Sequence, residues 1–226
     1  MYRLDRRDIG TACEATSQPH GHALGNVRRN VAEKVTLIAD WNPPFAFTHV
    51  LHYMLEQSGK IPTWLEFIHF IRGTNQGRNM LGWASEAARS EALRALDPRG
   101  QQRWSPSEVD DALRWRLGNA YYSFVRELHV LVHMRSKGLD VRVHPLADAL
   151  FRTDAWVSRA VFSIYVGNRK YRSNHEGRKK EAVRILGGAQ PSFCFESIHL
   201  PSAAERGKVY LASESQLEAR LRKLLP

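Results

Sequence analysis

The sequence predicts an α+β protein in which an α-helical N-terminal module precedes an α/β core with a mixed sheet. Apolar residues recur every three or four positions through most of residues 31–100, which is typical of amphipathic helices. After residue 105, short runs rich in β-branched and aromatic residues alternate with helical stretches, which is typical of strands joined by helices. These two patterns place the change from helix to mixed structure between residues 100 and 105.

The composition is that of a globular protein. The chain has 226 residues, of which 43% are hydrophobic and 25% charged, and its 15 Gly and 10 Pro are scattered. These values exclude collagen-like, low-complexity and wholly disordered chains. No stretch approaches the about 18 apolar residues that a membrane-spanning helix needs, and the start, MYRLDRRDIG, lacks the apolar segment of a signal peptide. We therefore expect a cytoplasmic protein without membrane contact.

The N-terminal half divides into an arm and a helical module. Residues 1–30 include GTACEATSQPHGHALGN, which has no sustained period, so we expect an irregular arm. Thr63 and Glu66 have the spacing of a capping box and predict the start of a helix. The helices predicted for the module at 31–100 cover VAEKVTLIAD, FAFTHVLHYMLEQ, WLEFIHFIRG and the stretch from Leu81 to Leu96.

A long helix is predicted to open the second half. Ser105 suits the N-cap, Pro106 the first helical position and Glu108 the third, where it closes a capping box. Gly138 suits the left-handed cap at the other end. The apolar face between these ends consists of Leu113, Leu117, Tyr121, Phe124, Leu128, Leu131 and Val132.

Strands dominate the rest of the predicted core. LDVRV, ALFRTDAWV and AVFSIYVGN are short, apolar and rich in β-branched or aromatic residues, so we expect a three-strand meander. The stretch around GRKKEAVRIL is helical in pattern. Two further strands, FCFESIHL and KVYLA, and a closing helix, SESQLEARLRKLL, complete a core expected to span residues 105–226.

This order of elements resembles the PD-(D/E)XK, or restriction-endonuclease-like, nuclease superfamily over residues 105–200. The resemblance implies that a glutamate on the first helix, an aspartate on the second strand and an acid-x-lysine on the third hold one or two divalent cations. Carboxylates are the ligands that Mg²⁺ prefers. Glu127 in YSFVRELHVL and Asp154 in FRTDAWV match the first two positions, so the resemblance makes both candidate catalytic and metal-binding residues, with Asp148 as a second choice for the aspartate.

The third motif of the superfamily is missing. The predicted third strand, 162–166, has no acid and no lysine, and no Asp-x-Lys or Glu-x-Lys occurs anywhere in the chain. Lys170 is the candidate for a displaced catalytic lysine, and Lys179 is the other lysine that could reach the site from a neighbouring element. The core is therefore expected to be catalytically degenerate, with no cofactor. The alternative is a Mg²⁺-dependent DNA endonuclease that uses Glu127 and Asp154. Each acid also has a structural interpretation: an ion pair on the helix for Glu127, and a cap at a strand end for Asp154.

Other metal or redox sites find little support. His129 and His133 are four residues apart and share one helix face, but the sequence offers no third ligand. Cys13 and Cys194 are too far apart in sequence for a Cys-x-x-Cys pair.

Charge favours a polyanionic partner. The chain has 33 Lys and Arg against 23 Asp and Glu, a net charge of +10. The segment GNRKYRSNHEGRKKEAVR concentrates cations and aromatic rings that suit a phosphate backbone. The candidate nucleic-acid-binding residues are Arg169, Lys170, Tyr171, Arg172, Arg178, Lys179, Lys180 and Arg184.

The leading interpretation is a nucleic-acid-binding subunit of a larger nucleoprotein assembly. DNA is favoured over RNA, and the helical module is expected to bind a protein partner. Two alternatives remain for the charge: a solvated surface, or a structural adaptor that binds an acidic protein.

Overall fold

A computed structural model of the protein describes residues 4–43, 47–151, 153–166, 182–200 and 204–222. The chain forms two compact units. Residues 12–124 make up the helical unit, and residues 1–11 together with 125–226 make up the α/β unit. The division falls inside a long helix and not at residues 100–105, where the sequence pattern changes.

The first helix, α1 (Arg6–Ala15), corrects the expectation of an irregular arm over residues 1–30. Ile9, Ala12 and Cys13 are buried on one face of α1. Their spacing of three and four is a helical period, but it extends over little more than one turn and is followed by turns, so the surrounding sequence obscures it.

Helices make up most of residues 29–94 in the helical unit, whereas residues 95–100, at the end of the module predicted for 31–100, are not helical. The stretch VAEKVTLIAD forms two short helices instead of one. The elements are α2 (Arg29–Ala32), α3 (Thr36–Ala39), α4 (Phe47–Ser58), α5 (Trp64–Gly73), α6 (Asn75–Gly77), a π-helical turn (Arg78–Gly82) and α7 (Trp83–Arg94).

Local signals and burial explain these elements. The predicted capping box opens α5: Glu66 Oε2 accepts from Thr63 N at 2.7 Å, and Thr63 Oγ1 accepts from Glu66 N at 3.2 Å. Because this arrangement satisfies backbone N–H groups that have no helical partner, it defines where the helix begins. A core cluster joins α2, α3, α7 and the first turns of the long helix that follows. Its buried residues are Ala32, Val35, Ile38, Ala88, Ala92, Trp104, Val109, Ala112 and Leu113.

The long helix, α8 (Pro106–Ser136), has the predicted ends. Glu108 Oε2 accepts from Ser105 N at 2.9 Å, and Gly138 adopts a φ of +83°. All seven residues of the predicted apolar face are buried. Gly118 lies where a Cβ atom would come within 3.0 Å of the Ala23 backbone, so close packing requires the glycine.

The α/β unit contains the predicted mixed sheet. Strands β1 (Ala155–Val157) and β2 (Ala160–Val166) are antiparallel, and β3 (Cys194–Leu200) runs parallel to β2. The crossover between β2 and β3 includes α10 (Ala182–Leu186). The remaining elements are α9 (Pro145–Phe151), the antiparallel pair β4 (Ala204–Arg206) and β5 (Val209–Leu211), and α11 (Glu214–Leu221).

The predicted three-strand meander is wrong, because the third strand of the sheet is β3 and not LDVRV, and two predicted strands are wrong in part. LDVRV contributes only one bridge, between Arg142 and Trp156, and most of ALFRTDAWV is divided between α9 and β1. The start of α9 explains the second difference, because Pro145 occupies its first position and His144 Nδ1 accepts from Leu146 N at 3.1 Å. Among the described residues, no helix is long and apolar enough to cross a membrane.

Candidate functional site

Asp154 lies immediately before β1, at the edge of the mixed sheet. Its Oδ2 atom accepts a hydrogen bond of 2.6 Å from the backbone N of Ile164 in β2, and its own N–H donates to Phe162 O at 3.1 Å. These two bonds extend the β1–β2 pairing by one residue. The Asp154 carboxylate therefore links the start of β1 to β2.

Glu127 occupies the part of α8 that belongs to the α/β unit. It is half-buried among the apolar residues of that helix, next to the buried Leu128. Within the described ranges, no three His, Cys, Asp or Glu side chains are arranged to hold a metal ion. Glu127 and Asp154 are thus not joined there by a third acidic or histidine ligand.

Most of the predicted nucleic-acid segment lies outside the described residues. This applies to Lys170, the candidate catalytic lysine, and to Arg169, Tyr171, Arg172, Arg178, Lys179 and Lys180. Arg184 is described: it is exposed on α10.

The order of the chain determines where this segment is attached. It begins directly after Val166, the carboxyl end of β2, and its last residues, 182–184, form the start of α10. Since β3 returns parallel to β2, the segment is the first part of a crossover connection. In open α/β sheets, ligands bind beyond the carboxyl ends of parallel strands.

The two units differ sharply in charge. The α/β unit has 21 Lys and Arg against 12 Asp and Glu, a net charge of +9. The helical unit has 12 against 11, a net charge of +1. The basic excess of the chain therefore belongs almost entirely to the unit that contains the mixed sheet.

The histidine pair on α8 forms a structural cluster in the α/β unit. His129 Nε2 donates to Ala212 O at 3.0 Å, which ties α8 to the loop before α11. Arg6 donates to Glu214 Oε1 at 2.6 Å, and its Nη2 lies 3.4 Å from His133 Nδ1. A guanidinium cation beside the imidazole disfavours a metal cation at the same place, so the cluster is explained by packing.

Burial lowers the pKa of both histidines in this cluster. For His133, which is 2% exposed, the neighbouring charges of Arg6 and Lys137 lower the pKa further, against an opposing effect of Glu214. For His129, the hydrogen bond to Ala212 O opposes the effect of burial on the pKa, and the charges of Arg6 and Arg206 lower the pKa further. Both imidazoles are therefore neutral in the folded protein at neutral pH.

Sequence reasoning identified the two histidines but missed Arg6 and Glu214, which lie more than 200 positions apart. No local pattern connects them, because their contact depends on α1 and α11 both packing against α8.

Comparison with known proteins identifies no relative: no family model matches the chain, and no curated protein or solved structure shows significant similarity to it.

Proposed function

We propose that this chain is a nucleic-acid-binding protein whose α/β unit has a nuclease-like core that binds without cleaving. The observation that carries the proposal is the charge difference between the units, +9 against +1. Charge that served solubility alone has no reason to accumulate in one unit. A phosphate backbone, in contrast, requires cations concentrated on the surface that contacts it.

The arrangement of elements supports the nuclease-like part of the proposal. A long helix, α8, is followed by the antiparallel pair β1 and β2 and then by a helical crossover to the parallel strand β3. The resemblance to the PD-(D/E)XK superfamily depends on a long helix, a three-strand meander and a helical crossover to a further strand. The described residues keep the long helix, two of the meander strands and the crossover, but α9 lies between α8 and β1. The cation-rich segment opens the crossover at the carboxyl end of β2, where a ligand of such a sheet is expected.

Binding without cleavage is favoured by the residues at the three motif positions. The Asp154 carboxylate already accepts a short hydrogen bond from Ile164 N. The strand that should carry the acid-x-lysine has Ser163 between Phe162 and Ile164, and the chain contains no acid-x-lysine elsewhere. A phosphodiesterase that lacks this motif would need a displaced lysine, such as Lys170, to help activate the attacking water.

The salt dependence of DNA binding tests the proposal. Each phosphate contact on duplex DNA contributes about −0.9 to the slope of log K against log salt. Replacing Arg178, Lys179 and Lys180 together with Ala should reduce the magnitude of that slope by about 2 to 3, equally on duplexes of different sequence.

A matched control removes the same charge from the other unit. Arg28, Arg72 and Arg99 are exposed in the helical unit, and their joint replacement by Ala should leave the salt slope unchanged. An equal reduction in both triple variants would mean that net charge alone governs binding. An unchanged slope in a folded variant of Arg178, Lys179 and Lys180 would show that the basic segment does not contact DNA.

Cleavage assays separate the proposal from its enzymatic alternative. With Mg²⁺ or Mn²⁺, we expect no cleavage of duplex or single-stranded DNA. Cleavage that is lost in Asp154→Asn and Glu127→Gln would instead establish a Mg²⁺-dependent endonuclease, in which these carboxylates hold the metal. Binding of an acidic protein but of no nucleic acid would establish the adaptor alternative.

The proposal assigns different roles to the two units. A nearly neutral helical unit suits contact with proteins, since it neither attracts nor repels a polyanion strongly. We therefore expect the protein to act as one subunit of a nucleoprotein assembly.

A further inference from the structure

The outward side of α7 carries an ordered row of four residues. Trp83, Ala87, Ser90 and Arg94 follow one another at intervals of four, three and four, so they lie along one line of the helix. The opposite side of α7 is buried through Ser85, Ala88 and Ala92. The row therefore faces away from the core of the helical unit.

The ends of this row are exposed and lack strong partners. The Trp83 side chain is 60% exposed, although burial is the usual state of a tryptophan. Its described contact is a cation–π interaction with Arg78, whose Cζ lies 5.7 Å from the ring centroid. The Arg94 side chain is also exposed, and it forms no ion pair or hydrogen bond with any residue that the structure describes.

Two copies of this row that run in opposite directions place complementary side chains opposite each other. If two copies of α7 pack antiparallel about a twofold axis between Ala87 and Ser90, Ala87 of each copy faces Ser90 of the other. Trp83 of each copy then faces Arg94 of the other. Small residues at the crossing point let two helices approach to about 8 Å. At both ends an unpaired cation meets an exposed indole ring, which is the most favourable ring for a cation–π contact.

A groove beside α7 offers further contact surface to the second copy. It has a volume of about 650 Å³ and lies between α3 and α7, with Leu37, Ala87, Glu91, Arg94 and Ala95 in its lining. Leu37 is 40% exposed there. In the antiparallel pair, Trp83 of the second copy arrives at Arg94, which lines this groove together with the exposed apolar side chain of Leu37.

Charge favours a second copy over nucleic acid on this face. The helical unit has 12 basic and 11 acidic residues, so two helical units do not repel each other. Glu91 lies in the groove and Glu86 is exposed on the other flank of the row, and these carboxylates oppose a phosphate backbone.

The geometry points to a homodimer in which the α7 faces of two chains pack antiparallel, with Trp83 of each copy against Arg94 of the other. This inference does not depend on nucleic-acid binding, because its residues belong to the helical unit and its readout requires no ligand.

Sedimentation of the full-length protein over a concentration series tests the inference. The wild type should associate reversibly from monomer to dimer, whereas Trp83→Ala and Arg94→Ala should remain monomeric at concentrations where the wild type is dimeric. Leu65→Ala and Arg72→Ala are matched controls, since they remove an exposed apolar and an exposed basic side chain from α5. Both controls should associate like the wild type.

An exchange of the two end residues gives a sharper test. Trp83→Arg alone places two arginines against each other and should abolish association. Adding Arg94→Trp restores the pairing of arginine with indole at both ends, so the double variant should regain the dimer. Unfolding of each variant is followed by circular dichroism, which shows whether the variant is folded.

Three results would overturn the inference. The first is a wild type that stays monomeric at every concentration. The second is a dimer that survives Trp83→Arg. The third is quenching of Trp83 fluorescence in the monomer by a single-stranded oligothymidine, which would assign the row to nucleic-acid stacking.

Discussion

The helical unit and the α/β unit differ in net charge and in the structure they are built from. The helical unit has a net charge of +1 and an aromatic core, in which Trp64 contacts both Phe67 and Tyr121 with ring centroids 5.9 Å apart. The α/β unit has a net charge of +9, and its described strands include a three-stranded sheet. Like charges at this density repel and oppose compactness.

The comparison indicates how stability and binding are distributed. A neutral unit can bury large rings without bringing many cations together, whereas the excess cations of the basic unit are the groups that would contact the proposed polyanion. Changes in the helical core should therefore affect stability and leave binding unchanged, and changes in the basic segment should do the reverse.

Phe67→Ala should have the largest effect on stability. Phe67 is fully buried in α5, and its ring packs against Trp64. Removing a buried phenylalanine ring costs about 3–5 kcal/mol, through lost burial and the cavity that remains. Urea unfolding followed by circular dichroism measures the loss, and the salt slope of DNA binding, taken where the variant is folded, should equal that of the wild type. A changed slope would mean that the helical unit takes part in binding.

Asp154→Ala should have an intermediate effect. The variant leaves the partly buried Ile164 amide without its 2.6 Å acceptor, so we expect a loss at the lower end of the about 1–3 kcal/mol that an unsatisfied buried donor costs. Asp154→Asn retains an oxygen at the same place, so its stability in urea should stay close to that of the wild type. If Asn destabilises as much as Ala, the negative charge itself is needed, which points to a cation near Asp154.

The smallest effect concerns the pH dependence of stability. His133 has a pKa below its usual value because of burial and the nearby Arg6, with Lys137, Glu214 and His129 as its other charged or titratable neighbours. The unfolded chain therefore binds a proton more readily than the folded protein. Stability should be complete above about pH 6.5, the unfolded pKa of histidine, and should fall as the pH drops below it.

His133→Asn tests this assignment, because the amide oxygen can still accept from Arg6 and does not titrate. The variant should lose less stability between neutral and mildly acidic pH than the wild type. Identical pH profiles in urea unfolding would show that other groups, His129 included, account for the acid sensitivity.

Local signals in the sequence were sufficient for several elements. The capping boxes at Thr63 and Ser105 each involve groups three residues apart, so the start of a helix depends on its own residues. The long apolar face of α8 and the hydrophobic runs of β2 and β3 likewise depend on residues that are close in sequence. The sequence alone also determined the net charge and the absence of an acid-x-lysine motif.

Tertiary structure decided what distant residues do. Arg6 meets Glu214 and His133 only because α1 and α11 pack against α8, and the parallel pairing of β2 with β3 joins strands separated by a long connection. The pattern of ALFRTDAWV predicts one strand, but the segment is divided between α9 and β1. Pro145 and His144 favour the start of a helix, and Asp154 accepts a hydrogen bond from a backbone N–H in β2. Short-range preferences set the ends of helices, whereas the site depends on contacts whose free energy arises only when distant segments pack together.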